Sequence, residues 1–216
     1  MKGLIAVLSV LFLARAFAAD DAPTHSAMAS DLNANMHRYL VERTFPLHAL
    51  EGLDATTKAK VNANNASVGV RWVSSYANAD ETKTYCVYEG PSEAAIRKAA
   101  ALNALPVDRV TEVPVDLDPE IPAHSETAGA ERHRYLIERT FAPGALDGLD
   151  AAGKAKVNAT NAEYGVQWVT SYANVDKTKT YCIYEGPSEA AVRKAASANQ
   201  IPVDTVTEVP VTLSPE

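Results

Sequence analysis

Two glutamates sit where a carboxylate is costly to keep. Glu42 and Glu138 lie in the middle of apolar, β-rich runs, YLVERTF at 39–45 and YLIERTF at 135–141. If these runs are central strands, both of their faces are covered. A buried carboxylate then costs several kcal/mol unless it is paired, coordinated or protonated. Two kinds of chemistry follow: a metal ligand, or a general base with a raised pKa. The third outcome is structural, an ion pair with Lys83, Arg97 or an arginine from the other half of the chain. Strand alternation points Arg43 and Arg139 to the opposite face, so neither is the partner of the glutamate beside it.

Other donors stand near these two. Glu89 and Glu112, with Glu185 and Glu208, end or occupy neighbouring strands, and with Glu42 they could form an oxygen-rich site for a hard divalent ion. As strand-end carboxylates they can equally be solvated. Of the five histidines, His25, His37, His48, His124 and His133, only His37 and His133 occupy corresponding positions, just ahead of the first strand of each half. They make a metal site only if those strand starts meet; otherwise they are exposed. No HxH or HxxxH pair occurs. Cys86 and Cys182 are the only cysteines. Export would favour a disulfide, whereas the flanking Tyr-Cys-Val-Tyr pattern favours buried thiols acting as small hydrophobes. Trp72, Tyr76, Tyr85 and Tyr88 recur as Trp168, Tyr172, Tyr181 and Tyr184. Alternation predicts Trp72 and Tyr76 on one face, and Tyr85 on the face opposite Tyr88. Such residues can line a pocket for a flat organic ligand or fill the core.

The elements that place these residues are written twice. Sliding the chain by 96 positions lays 37–120 on 133–216 without a gap, and 61 of the 84 pairs are identical. A unit of that length is a small domain rather than a solenoid repeat. Residues 121–132, IPAHSETAGAER, have the composition of a linker. Within a copy, 39–45 reads as a strand. Asp54 caps a helix running to about Ser67. Residues 70–76 and 84–89 read as a hairpin, Pro91-Ser92 starts a helix ending near Asn103, and 109–115 is a last strand, with Pro114 marking an edge or an end. The order β-α-β-β-α-β is the ferredoxin-like split unit. The fold class is therefore α+β, two ferredoxin-like domains in tandem. Each sheet carries helices on one face only, so the bare faces are expected to cover each other as an intrachain pseudo-dimer.

Residues 1–18 read as a signal peptide. Lys2 is the positive start, 4–13 the apolar run, and Ala16-Phe17-Ala18 the small-x-small cleavage pattern. The run is too short for a membrane helix, and no lipoprotein cysteine follows it. The expected product is exported, periplasmic or secreted, without a stable membrane anchor. It starts near Ala19, with a mobile lead-in at 19–36. Losing Lys2 and Arg15 takes the formal charge from −7 to −9. A chain that acidic, without a basic cluster, lacks the counterion-releasing surface nucleic acids require.

Several segments together resemble a known family. They are YLVERTF at 39–45, Trp72-Val73 with Ser75-Tyr76, KTYCVYE at 83–89, LPVD at 105–108, and Glu112-Val113. In each copy they are similar to a family of small ferredoxin-like proteins of the dimeric α/β-barrel type. That family is mostly of unknown function and includes a nickel-binding member. The resemblance implies the fold and, by kinship, a divalent metal, nickel, as the one cofactor to expect. Three functions stay open. The first is an exported protein binding a small molecule or a metal ion in two equivalent sites, with Glu42, Glu138, Trp72, Trp168, Tyr88 and Tyr184 as ligand contacts. In that reading Glu42, Glu138, Glu89, Glu185, His37 and His133 are the metal donors. The second is a cofactor-poor barrel-type enzyme, a monooxygenase or isomerase, with Glu42 or a tyrosine as acid or base between sheet and helices. No recognisable nucleophile–base pair supports it. The third is a structural or interaction module.

Overall fold

The computed structural model describes residues 36–119 and 132–216. The segments read as signal peptide, lead-in (up to Asn35) and linker (up to Glu131) lie outside the described residues.

Each copy builds its elements from local rules. β1 (His37–Thr44) alternates side chains between two covered faces. α1 (Ala55–Ala66) starts where the Asp54 carboxylate accepts the Thr57 N–H, a cap that satisfies a donor the helix leaves open. The turn that follows it closes at Gly69, whose φ of +71° suits a residue without Cβ. β2 (Arg71–Ala77) and β3 (Lys83–Gly90) form the hairpin. α2 (Glu93–Leu102) is capped by Ser92, and β4 (Arg109–Glu112) closes the unit beside β1. The second copy repeats this with β6 (His133–Thr140), α3 (Ala151–Glu163), β7 (Gln167–Ala173), β8 (Lys179–Gly186), α4 (Glu189–Ala198) and β9 (Thr205–Glu208). The fold is α+β, two ferredoxin-like units in tandem.

Two expectations need correction. The last strand is not one run from 109 to 115. It breaks at Val113-Pro114, because proline has no N–H to continue the ladder. Beyond the break, β5 (Val115–Asp116) pairs with β7 of the second copy. Reciprocally, β10 (Val211–Leu213) pairs with β2 of the first. The sheets therefore run β10-β2-β3-β1-β4 and β5-β7-β8-β6-β9, each finished at one edge by the other copy's tail. The second correction concerns the aromatics. A register shift between Trp72 and Ser74 places an extra residue in β2. A bulge reverses alternation beyond it, so Trp72 faces the helices and Tyr76 the other sheet. Trp168 and Tyr172 behave alike.

Three apolar layers result. Tyr39, Val41, Trp72, Cys86 and Tyr88 pack under Ile96 and Ala99 in the first copy, and their counterparts do so in the second. Between the sheets lie Leu40, Tyr85 and Val113 from one copy with Leu136, Tyr181 and Val209 from the other. The bare faces thus cover each other, as the doubled fold requires.

Candidate functional site

The inter-sheet layer holds the two glutamates. Glu42 is only 6% exposed and Glu138 9%, and strand alternation aims both at the opposing sheet. Tyr181 of the second copy donates to Glu42 Oε1 at 2.9 Å, while Tyr85 of the first donates to Glu138 Oε1 at 3.3 Å. Lys83 and Arg109 flank Glu42 at 3.4 Å each. Lys179 reaches Glu138 at 3.0 Å, and Thr205, standing where the first copy has Arg109, donates at 3.1 Å. Burial pushes the Glu138 carboxyl up, but Lys179 and the hydroxyls of Thr205 and Tyr85 outweigh it and hold it below the usual glutamate range. The Tyr181 hydroxyl is pushed up to about 12, mainly by burial and also by the Glu42 charge. These groups form a reciprocal polar lock, each copy's tyrosine hydrogen-bonding the other copy's glutamate.

The remaining carboxylates are spread out. Glu89 pairs with Arg38 at 3.6 Å and also with Arg71, and Glu185 with Arg134 at 2.8 Å. On β3, Glu89 lies four residues from Tyr85, the residue opposite Glu42, which is about 13 Å of strand. His37 Nδ1 meets Glu112 at 2.7 Å and His133 Nδ1 meets Glu208 at 2.7 Å, both exposed. Among the described residues no group of three or more His, Cys, Asp or Glu is placed to hold a metal ion. Buried glutamates committed to cations and separate His–Glu pairs do not, by themselves, fit a resident nickel ion. Cys86 and Cys182 are buried free thiols.

The aromatic residues expected as ligand contacts, Trp72, Tyr88, Trp168 and Tyr184, lie elsewhere, between each sheet and its helices. Trp72 stands opposite Tyr88, and Trp168 opposite Tyr184. Each pair lines a cleft on the helix side of its sheet, so Glu42 and Glu138, on the other side, share no site with them. The first cleft, about 50 Å³, is bounded by Arg43, Phe45, Trp72, Cys86, Tyr88 and Leu213. The second, about 150 Å³, is bounded by Arg139, Phe141, Trp168, Cys182, Tyr184 and Leu117. Leu213 belongs to the second copy and Leu117 to the first, so each cleft is closed by the partner copy's tail. The indole N–H of each tryptophan donates within its own strand, Trp72 to Ser75 at 2.9 Å and Trp168 to Ser171 at 2.8 Å.

Sequence reasoning passed over Arg43 and Arg139. Alternation had already put them on the face of Tyr39 and Val41, where a charge is out of place, and that was the available signal. Leu117 and Leu213 gave none, because nothing local says that a tail crosses to the other sheet.

The fold and the doubled cleft define a tandem ferredoxin-like protein whose two units complete each other. The family model described as nickel responsive protein SCO4226-like matches the chain twice, over residues 39–113 and 135–209. The chain belongs to that family. Among solved structures it is similar to SCO4226 from Streptomyces coelicolor A3(2), with 18% identity, 36% of this chain and 96% of that chain covered, and a TM-score of 0.29. It is also similar to chlorite dismutase from Candidatus Nitrospira defluvii in complex with imidazole, with 11% identity, 87% and 95% covered, and a TM-score of 0.40. No curated protein matches the chain.

Proposed function

We propose that the protein is an exported binding protein that holds a small organic molecule in each of two related clefts, one per copy. One observation carries the reading. The same arginine, tryptophan, cysteine and tyrosine line a cleft between sheet and helices in both halves, and in both the wall is finished by a tail from the other half. Concave, mostly apolar sites with a few fixed polar groups are where small ligands bind. Export rests on Lys2, the apolar run at 4–13 and the Ala16-Phe17-Ala18 pattern.

Trp72 and Trp168 are the only tryptophans and one stands in each cleft, so intrinsic fluorescence reports occupancy directly. Titrating the chain from Ala19 with single-ring aromatic compounds should give a saturable change, and Trp72→Phe and Trp168→Phe should divide it between the sites. Nickel is the second reading, favoured by the description of the family. The His37–Glu112 and His133–Glu208 pairs would each supply only two donors, so a nickel ion there would need further ligands to complete its shell. Saturable uptake of nickel, lost in His37→Ala with His133→Ala, together with tryptophans silent to every aromatic compound, would replace the first reading by the second.

A further inference from the structure

Each cleft contains a buried cation, an arginine. Arg43 and Arg139 are each 2% exposed. Among the described residues no carboxylate lies within ion-pair distance of either. Arg43 Nη1 donates to the Pro106 carbonyl, and Arg139 Nη1 to the Pro202 carbonyl at 2.6 Å. Tyr88 and Tyr184 present their rings to the guanidinium groups at 5.6 and 5.5 Å. Arg43 Nε is buried with no acceptor. The neighbouring phenols do not supply the missing negative charge. Burial pushes both Tyr88 and Tyr184 up to about 12 despite the pull of the arginines, so both are neutral near pH 7. A guanidinium taken out of water without a counter-ion is a costly arrangement; in Arg43 one donor, Nε, is also unused, and a forked donor set suits a carboxylate.

The walls around that charge are mostly apolar. In the second cleft Phe141, Leu146, Leu149 and Trp168 face the space, with Leu117 closing it. A volume of about 150 Å³ there is comparable to an apolar cavity that accepts benzene. The first cleft, at about 50 Å³, would have to widen by moving the tail that carries Leu213. A small inorganic anion meets few polar groups there besides the arginine, chiefly Ser171, Thr180 and Asn199, and leaves the apolar walls unfilled, while a neutral ring leaves the arginine's charge unpaired.

From this we infer that Arg139, and Arg43 after widening, anchor the carboxylate of a small apolar acid about the size of one aromatic ring, with the second cleft filling first. The inference rests on the binding reading above and narrows it to one ligand class.

The test uses the chain from Ala19, with benzoate, the neutral benzyl alcohol and inorganic phosphate as probes, read by tryptophan fluorescence and calorimetry. Benzoate should bind at least tenfold more tightly than benzyl alcohol, and phosphate should not compete. In Arg139→Met benzoate should weaken by about tenfold or more, as expected for loss of a charge-assisted pair, while benzyl alcohol changes by less than about threefold. Arg139→Lys, which keeps the charge without the fork, should fall between. Equal affinity of the parent for benzoate and benzyl alcohol would overturn the anchor while leaving the cleft as a binding site, and that comparison holds even if a variant fails to fold. Unchanged benzoate affinity in a folded Arg139→Met would overturn it too. If neither aromatic probe binds, the anchor and the binding reading both fall.

Discussion

At the scale of single residues, Glu138 and its hydroxyl partners give the most direct prediction. Its carboxyl sits below the usual range because Lys179, Thr205 and Tyr85 outweigh the effect of burial. A depressed folded pKa means that the ionised form stabilises the fold above the unfolded value of about 4.3, and that this contribution is lost as pH falls through the folded value. The difference in urea midpoint between the parent and Glu138→Gln should therefore be full above about pH 5 and shrink on acidification. A difference that stays constant from pH 7 down to pH 3 would mean that ionisation contributes nothing. The tyrosines are predicted to be unequal. Tyr181→Phe removes a 2.9 Å bond to Glu42 and should cost about 1–2 kcal/mol. Tyr85→Phe removes a 3.3 Å bond and should cost less, by the same denaturation assay. Sequence reading already named Lys83 as a partner for Glu42, because a buried carboxylate demands one. It could not name Tyr181, which lies 139 positions away and on the other sheet.

At the scale of elements, the order of strands and helices was legible because each boundary carries its own signal. Asp54, Ser92, Asp150 and Ser188 cap helices by accepting backbone N–H groups three residues on. The two features that were not legible, the bulge after Trp72 and the crossing after Val113, are set by pairing with distant strands. The crossing has a consequence that can be measured. β10 contributes three residues to the first sheet, Val211, Thr212 and Leu213, pairing with Ala77, Tyr76 and Ser75, and Leu213 also closes the first cleft. Deleting 211–216 would leave β2 as a bare edge, a template for pairing with another chain. The truncated protein should be less stable to urea and should self-associate, seen by light scattering. Its Trp72 emission should shift to the red as water reaches the cleft, while Trp168, whose cleft is closed by Leu117, should stay unchanged. A shift of equal size at both tryptophans, resolved with the single Trp→Phe variants, would mean that the tail's effect is not local.

At the scale of the whole molecule, the two copies fold as one object. Leu40 and Tyr85 from one copy interleave with Leu136 and Tyr181 from the other, each central glutamate is hydrogen-bonded by the other copy's tyrosine, and each sheet borrows an edge strand. A copy unfolding alone would strip its partner of all three at once: an apolar face, a tyrosine that satisfies a buried carboxylate, and a tail strand. Such an intermediate should be too costly to populate. Calorimetry of the chain from Ala19 is therefore expected to show one transition, with its calorimetric enthalpy equal to the van't Hoff value. Leu136→Ala, truncating a side chain 1% exposed in the shared layer, should destabilise by about 2–5 kcal/mol and move that single transition without splitting it. Two transitions in the parent would show that the copies are thermodynamically separate. The linked arrangement also bears on binding. Because Leu117 and Leu213 close clefts that belong to the opposite copy, a ligand held in either cleft stabilises contacts between both. One saturating ligand should therefore raise the melting temperature of the whole transition rather than separate a protected half from an unprotected one.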